Sequence, residues 1–160
     1  MISAKKIFRI IFVILFSTLF VSCGFKKINT DGINSINIKD INILGEKRYS
    51  NILKDSINLL SDKESLNEYN IKLFFKKNKI YKIKDKTGSI TRYKISFRVE
   101  LNLEEIKNKI EVKKIFEKNG DYDVADNHTT TINNERNLTK NLIQQLSDEI
   151  TNFIILTARN

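Results

Sequence analysis

Residues 91–103, TRYKISFRVELNL, constrain the fold more than any other stretch of the chain. Thr91, Tyr93, Ile95, Phe97, Val99, Leu101 and Leu103 alternate with Arg92, Lys94, Ser96, Arg98, Glu100 and Asn102. Successive side chains of a strand point to opposite faces. The pattern therefore predicts an extended strand with one buried side and one wet or partner-facing side.

The neighbouring segments supply the rest of a sheet and its cover. Between Gly32 and Gly45, Ile36 and Ile38 alternate in one phase and Ile41 and Ile43 in the other, which predicts a first strand with a bulge near Lys39 and Asp40. From Glu46 to Leu60, the apolar residues Tyr49, Leu53, Ile57 and Leu60 recur at helical spacing. In YNIKLFFKKNKIYKIK the odd positions Ile71, Leu73, Phe75, Tyr81 and Ile83 are apolar, but Lys77 and Lys79 interrupt that face. One long strand bent at residues 76–79 accounts for this, and so do two short ones. A turn at Thr87 and Gly88 leads into the regular strand, and a further strand, Ile110 to Glu117, ends at a turn at Asn119 and Gly120. From about Asn133, a stripe of Leu138, Leu142, Leu146, Ile150, Phe153 and Ile154 predicts a C-terminal helix, N-capped by Asn133 or Thr131 and with Glu135 in its first turn. The order strand, helix, strand, strand, strand, helix predicts an α+β fold: two helices packed on one face of a four-stranded mixed sheet. The whole chain, 160 residues, is one domain's worth.

Ahead of this domain, Lys5, Lys6 and Arg9 form a positive segment followed by an apolar run, Ile10 to Val21. The run is too short for the ~20 residues of a comfortable membrane-spanning helix and suits a signal peptide. It ends in Phe20, Val21, Ser22 and Cys23, which resembles the lipobox of bacterial lipoproteins, whose cysteine sulfur receives a diacylglycerol. The expected organisation is a signal peptide at 1–22, an acylated tether at 23–32 and a domain at 33–160. Cys23 then carries a diacylglycerol and an N-acyl chain, and no other cofactor is expected. An uncleaved N-terminal anchor ending at Cys23 is the alternative. Gly24 after the cysteine, in place of Asp, favours the outer membrane, with the domain on its periplasmic side.

Charge and chemistry narrow the function classes. The formal charge is +9, with one cysteine, one histidine and no proline or tryptophan. A single cysteine rules out an internal disulfide framework and a cysteine-rich zinc site. His128, in DNHTTT, reads as an exposed loop residue. No phosphate-cradling glycine loop, zinc-protease helix or serine elbow is present. The acidic pairs Glu104 with Glu105 and Asp121 with Asp123 read as solvated surface, so no enzyme is expected. The richest charged feature is the run Lys76, Lys77, Lys79, Lys82, Lys84 and Lys86, with Arg92 and Lys94 across the turn. It is either a solvated hairpin or a holder of phosphates and acidic sugars. A lipoprotein facing the envelope meets few nucleic acids, so an anionic glycolipid fits better.

The signal ending in CGF, the first strand and helix, TRYKISFRVELNL and the C-terminal NNERNLTKNLIQQLSDEITNFI together resemble the LptE family of lipopolysaccharide-assembly lipoproteins. The resemblance spans nearly the whole mature chain. It implies an outer-membrane lipoprotein that plugs the LptD β-barrel, supports that barrel's assembly and helps deliver lipopolysaccharide to the outer leaflet. It also implies barrel or lipopolysaccharide contacts, for which Lys76, Lys77, Lys79, Lys82, Arg92, Lys94 and Arg98 are the candidates. A stand-alone periplasm-facing lipoprotein that binds an anionic ligand through the basic hairpin is the alternative.

Overall fold

The computed structural model describes residues 36–158. The signal peptide, Cys23 and the tether lie outside the described residues. The elements are β1 (Asn37–Gly45), α1 (Lys47–Asn58), β2 (Glu68–Lys84), β3 (Ile90–Glu105), β4 (Ile110–Asp123) and α2 (His128–Thr157). The sheet order is β1-β2-β3-β4. β1 runs parallel to β2, which requires the crossover through α1. β2, β3 and β4 form an antiparallel meander. This is the α+β arrangement expected from the sequence, with both helices on one face of an open mixed sheet.

The bulge in β1 falls where the phase change of its isoleucines placed it. Ile38 pairs with Tyr69 and Asp40 with Asn70, leaving Lys39 as the extra residue. That single insertion turns Ile38, Ile41 and Ile43 all toward the helices, where they pack against the core.

β3 contributes Ile95, Phe97, Val99, Leu101 and Leu103 to that core, and β2 contributes Ile71, Leu73 and Phe75. Leu53 and Ile57 of α1 and Ile143, Leu146, Ile150 and Ile154 of α2 close over them. Each such side chain contributes roughly 1.5–3 kcal/mol when fully buried. Phe75 stacks on Phe97 with centroids 5.4 Å apart, and Tyr49 of α1 meets Phe97 edge-on at 5.9 Å. Phe116 of β4 meets Phe153 of α2 at 5.7 Å in the same manner.

Several local expectations are settled or corrected. β2 is one strand with unbroken pairing through Lys76, Lys77, Asn78 and Lys79; its irregularity comes later, between Tyr81, Ile83 and Lys84. β4 does not turn at Asn119 and Gly120 but continues to Asp123, because those residues pair with Ser96 and Ile95 of the long β3. α2 starts at His128, not near Asn133. Asn127 is the N-cap, its Oδ1 accepting from Thr129 N at 2.7 Å, while Thr131 Oγ1 accepts from Ala125 N at 2.9 Å. His128 is thus an exposed residue of the first helical turn rather than of a loop. Glu135, expected in the first turn, lies one to two turns further in and faces the sheet.

The uncovered sheet face as candidate functional site

The two faces of the sheet divide the expected basic cluster. Lys77 pairs with Phe97 and Lys79 with Ile95, so both point to the helix side, past the end of the apolar core. Lys76 pairs with Arg98, and Lys94 lies opposite Ile80 and Asp121; these point to the side that no helix covers. Arg92, opposite Asp123, joins them. Lys82 sits in the irregular stretch of β2, and its ammonium reaches Asp121, which belongs to the uncovered face. The structure therefore brings together Lys76, Lys82, Arg92, Lys94 and Arg98 and separates them from Lys77 and Lys79.

On the helix side, one carboxylate organises the two lysines. Lys79 Nζ donates to Glu135 Oε2 at 2.6 Å, Lys77 Nζ lies 3.5 Å from Glu135 Oε1, and the Tyr122 hydroxyl donates to Glu135 Oε2 at 2.9 Å. Lys79 also sits 4.5 Å over the Tyr93 ring, which stacks on Tyr122, and Lys77 sits 5.4 Å over Tyr49. Burial acts to raise the Glu135 carboxyl, but the hydrogen bonds of Lys79 and Tyr122 and the two lysine charges outweigh it, so the group titrates below its ordinary range. Burial likewise acts to lower Lys79, and the hydrogen bonds and charges of Glu135 and Tyr122 reverse this and raise it.

A carboxyl lowered on folding stabilises the fold above its unfolded value, about 4.3. That stabilisation disappears as pH falls through the lowered native value. The raised Lys79 works in the opposite sense: its contribution is present below about 10.4 and is lost as pH rises through the native value. Glu135→Gln is expected to lower stability at neutral pH by about 1 kcal/mol. It should also flatten the acid limb of a plot of melting temperature against pH. An acid limb as steep as the wild type's would contradict this account of the network.

The uncovered face is a ladder of cross-strand rows. Arg98 ties two of its carboxylates together, donating from Nη1 to Glu117 at 2.6 Å and from Nε to Glu100 at 3.1 Å. Arg92 Nε donates to Asp123 at 2.6 Å. Lys76 and Lys94 have no ion pair among the described residues. Between the charged rows, Asn78, Ser96 and Asn119 align across three strands. The small Ser96 leaves a shallow polar trough there of about 220 Å³, walled by Lys76, Arg98 and Glu117. One further row sets Leu44, Phe74 and Ile115 on either side of Glu100, all about half-exposed, and Ile80 is exposed to a similar degree. A broad face that is charged, internally paired and dotted with apolar side chains suits contact with a large polar surface better than enclosure of a small molecule. The face as a unit was visible in the alternation of β3; the contributions of β1 and β4 were not, because their pairing partners lie far away in sequence.

No family model and no curated protein matches the chain. Solved structures do match. Rare lipoprotein B from Shewanella oneidensis superposes with a TM-score of 0.58 at 15% identity, over 74% of this chain and 95% of that one. A minor lipoprotein from Acinetobacter baumannii gives 0.58 at 12% identity, over 78% and 93%. Lipoprotein B from Nitrosomonas europaea gives 0.58 at 14% identity, over 75% and 84%. The chain shares its fold with these bacterial lipoproteins.

Proposed function

We propose that the chain is a non-enzymatic outer-membrane lipoprotein of the LptE type. In this reading it is anchored through acyl chains on Cys23, occupies an LptD-type β-barrel, supports assembly of that barrel and helps pass lipopolysaccharide to the outer leaflet. The observation that carries this reading is the uncovered face of the sheet, four strands wide and laced by Arg92, Arg98 and Lys82 ion pairs. The interior of a transmembrane β-barrel is polar, and such a face is complementary to it where an apolar one would not be. The fold shared with Gram-negative lipoproteins and the sequence resemblance of the C-terminal helix support the same conclusion.

Most of the basic residues expected to meet lipopolysaccharide are already paired with carboxylates, so a free-standing anion site is the weaker reading. Lys76 and Lys94 are then the foremost contacts for phosphate among them. Extraction of the native membrane in mild detergent should recover the protein with a large β-barrel in equal amounts. Recovery only as a monomer that binds an anionic ligand with salt-sensitive affinity would overturn the proposal in favour of the stand-alone binder.

A further inference from the structure

Five segments of the chain meet at one end of the domain. β1 begins there, Asn37 N donating to Asn67 O at 2.8 Å, and α1 ends there, with Ser61 bridging Ile36. β2 starts at Glu68 beside Ile106, whose N donates to Glu68 O at 2.9 Å, and β3 turns into β4 between Glu105 and Ile110. The last turn of α2 completes the group. It helps wall a cleft of about 750 Å³ together with the apolar Tyr69, Leu103 and Phe153 and the polar Asn67, Glu105 and Asn108.

This end carries the two most exposed aliphatic side chains among the described residues, with two more about half-exposed. Leu66 is 90% exposed, Leu59 87%, Leu156 59% and Ile110 53%. Single exposed leucines are ordinary on a protein surface, whereas several on the same end mark a contact surface. The acids Asp62, Glu64 and Glu105 offset the neighbouring Lys63, Lys107 and Lys109, so no strong charge of either sign accompanies them.

We infer that, before the domain enters a barrel, this end rests on the lipid bilayer, with Leu59, Leu66, Ile110 and Leu156 entering the headgroup layer. The inference rests on the lipid anchor proposed above, and the position of that anchor selects the occupant. The stretch from Cys23 to Ile36 reaches at most about 45 Å when fully extended, and it joins the domain at this same end. The opposite end, at the turn Asp85–Ser89, is farther by the length of β2, 17 residues or roughly 55 Å. Acyl chains on Cys23 therefore hold the aliphatic end nearest to lipid. Because the contact is apolar and nearly charge-neutral, it should persist as salt rises, unlike the binding of a basic patch.

The chain has no tryptophan, so a single introduced indole reports its own surroundings. Leu66→Trp, Ile110→Trp and, as control, Thr87→Trp would be made in the full lipidated protein. Each would be reconstituted in vesicles of phosphatidylethanolamine and phosphatidylglycerol carrying brominated acyl chains. The expected result is a blue-shifted emission with loss of most of its intensity at positions 66 and 110, equal at low and high salt, and neither effect at position 87. Indoles at 66 and 110 that stay as water-exposed as at 87, in protein that is lipid-labelled and vesicle-bound, would overturn this inference and leave the anchor intact. Equal quenching at all three positions would also overturn it. Protein that carries no lipid label and does not bind vesicles would overturn the anchor and the inference together.

Discussion

Cys23→Ala, made in cells that lack the partner barrel, is expected to abolish incorporation of labelled fatty acid and to move the protein from the membrane fraction to the soluble one. The size of the effect follows from the chemistry of anchoring. Each buried methylene contributes about 0.8 kcal/mol, and stable attachment takes more than one chain. Where no barrel is there to be occupied, removing all of them at once leaves nothing of comparable strength. Among the described residues no helix is long and apolar enough to cross a membrane, and four half- or fully exposed aliphatic side chains provide only a weak surface contact. The alternative role for Cys23, as the last residue of an uncleaved anchor, gives the opposite outcome. A sulfur that merely ends an apolar helix is replaceable by a methyl group, and Cys23→Ala would then leave retention unchanged. In those barrel-free cells fractionation together with lipid labelling separates the two, and retention of the unlabelled variant would sink the lipoprotein reading.

The strand at 91–103 was legible because its signal is local: each residue's face is decided by its immediate neighbours in sequence. The same holds for the C-terminal stripe, whose Leu142, Leu146, Ile150 and Ile154 are all buried. Lys77 and Lys79 show where local reading stops. On the pattern alone they break an apolar face, which a bent long strand or two short strands explain equally. In the structure the pairing of β2 runs unbroken through them, because Glu135, distant in sequence, supplies the carboxylate that makes two lysines tolerable there. No periodicity announces such a partner.

The candidate site was legible as a group of residue types but not as a surface. A run of lysines in one hairpin looks like one patch, yet alternation sends Lys77 and Lys79 to the helix side and Lys76 to the other. The irregularity after Tyr81 then lets Lys82 reach Asp121 on that uncovered side. In sequence the paired acids read as solvated surface. Asp121 and Asp123 lie partly exposed on β4, where they also neutralise Lys82 and Arg92. What remained hidden was the pairing register, which is a property of three strands at once.

Gly45→Ala is expected to destabilise the domain by about 3 kcal/mol or more, a large part of the roughly 5–15 kcal/mol typical of a folded chain. Glycines at the breaks between patterned segments look alike in sequence, but they are not equivalent in space. Gly45 has φ +99°, and a Cβ built on it would lie 2.1 Å from the carbonyl oxygen of Phe75. The left-handed conformation alone costs an L-residue about 1–2 kcal/mol. The clash is with backbone, so it is relieved only by parting β1 from β2. That movement also breaks the 2.9 Å bond from Glu46 N to Phe75 O, worth about 1 kcal/mol. Gly88 shares the conformation, with φ +85°, but a Cβ there meets nothing within 4 Å. Gly88→Ala should therefore cost only the conformational part, about 1 kcal/mol. Gly120, expected at a turn, is a strand residue whose added Cβ would lie 2.7 Å from Leu138 Cδ1, the mobile end of a half-buried side chain that can move aside. Denaturant unfolding of the three variants should rank Gly45→Ala well below the other two in midpoint. Equal midpoints for Gly45→Ala and Gly88→Ala would mean that β1 does not lie against Phe75. The ranking matters beyond stability, because β1 is the strand through which the Cys23 side of the chain joins the core. A variant that frees β1 while β2, β3, β4 and α2 stay together would uncouple the proposed anchor from the uncovered face.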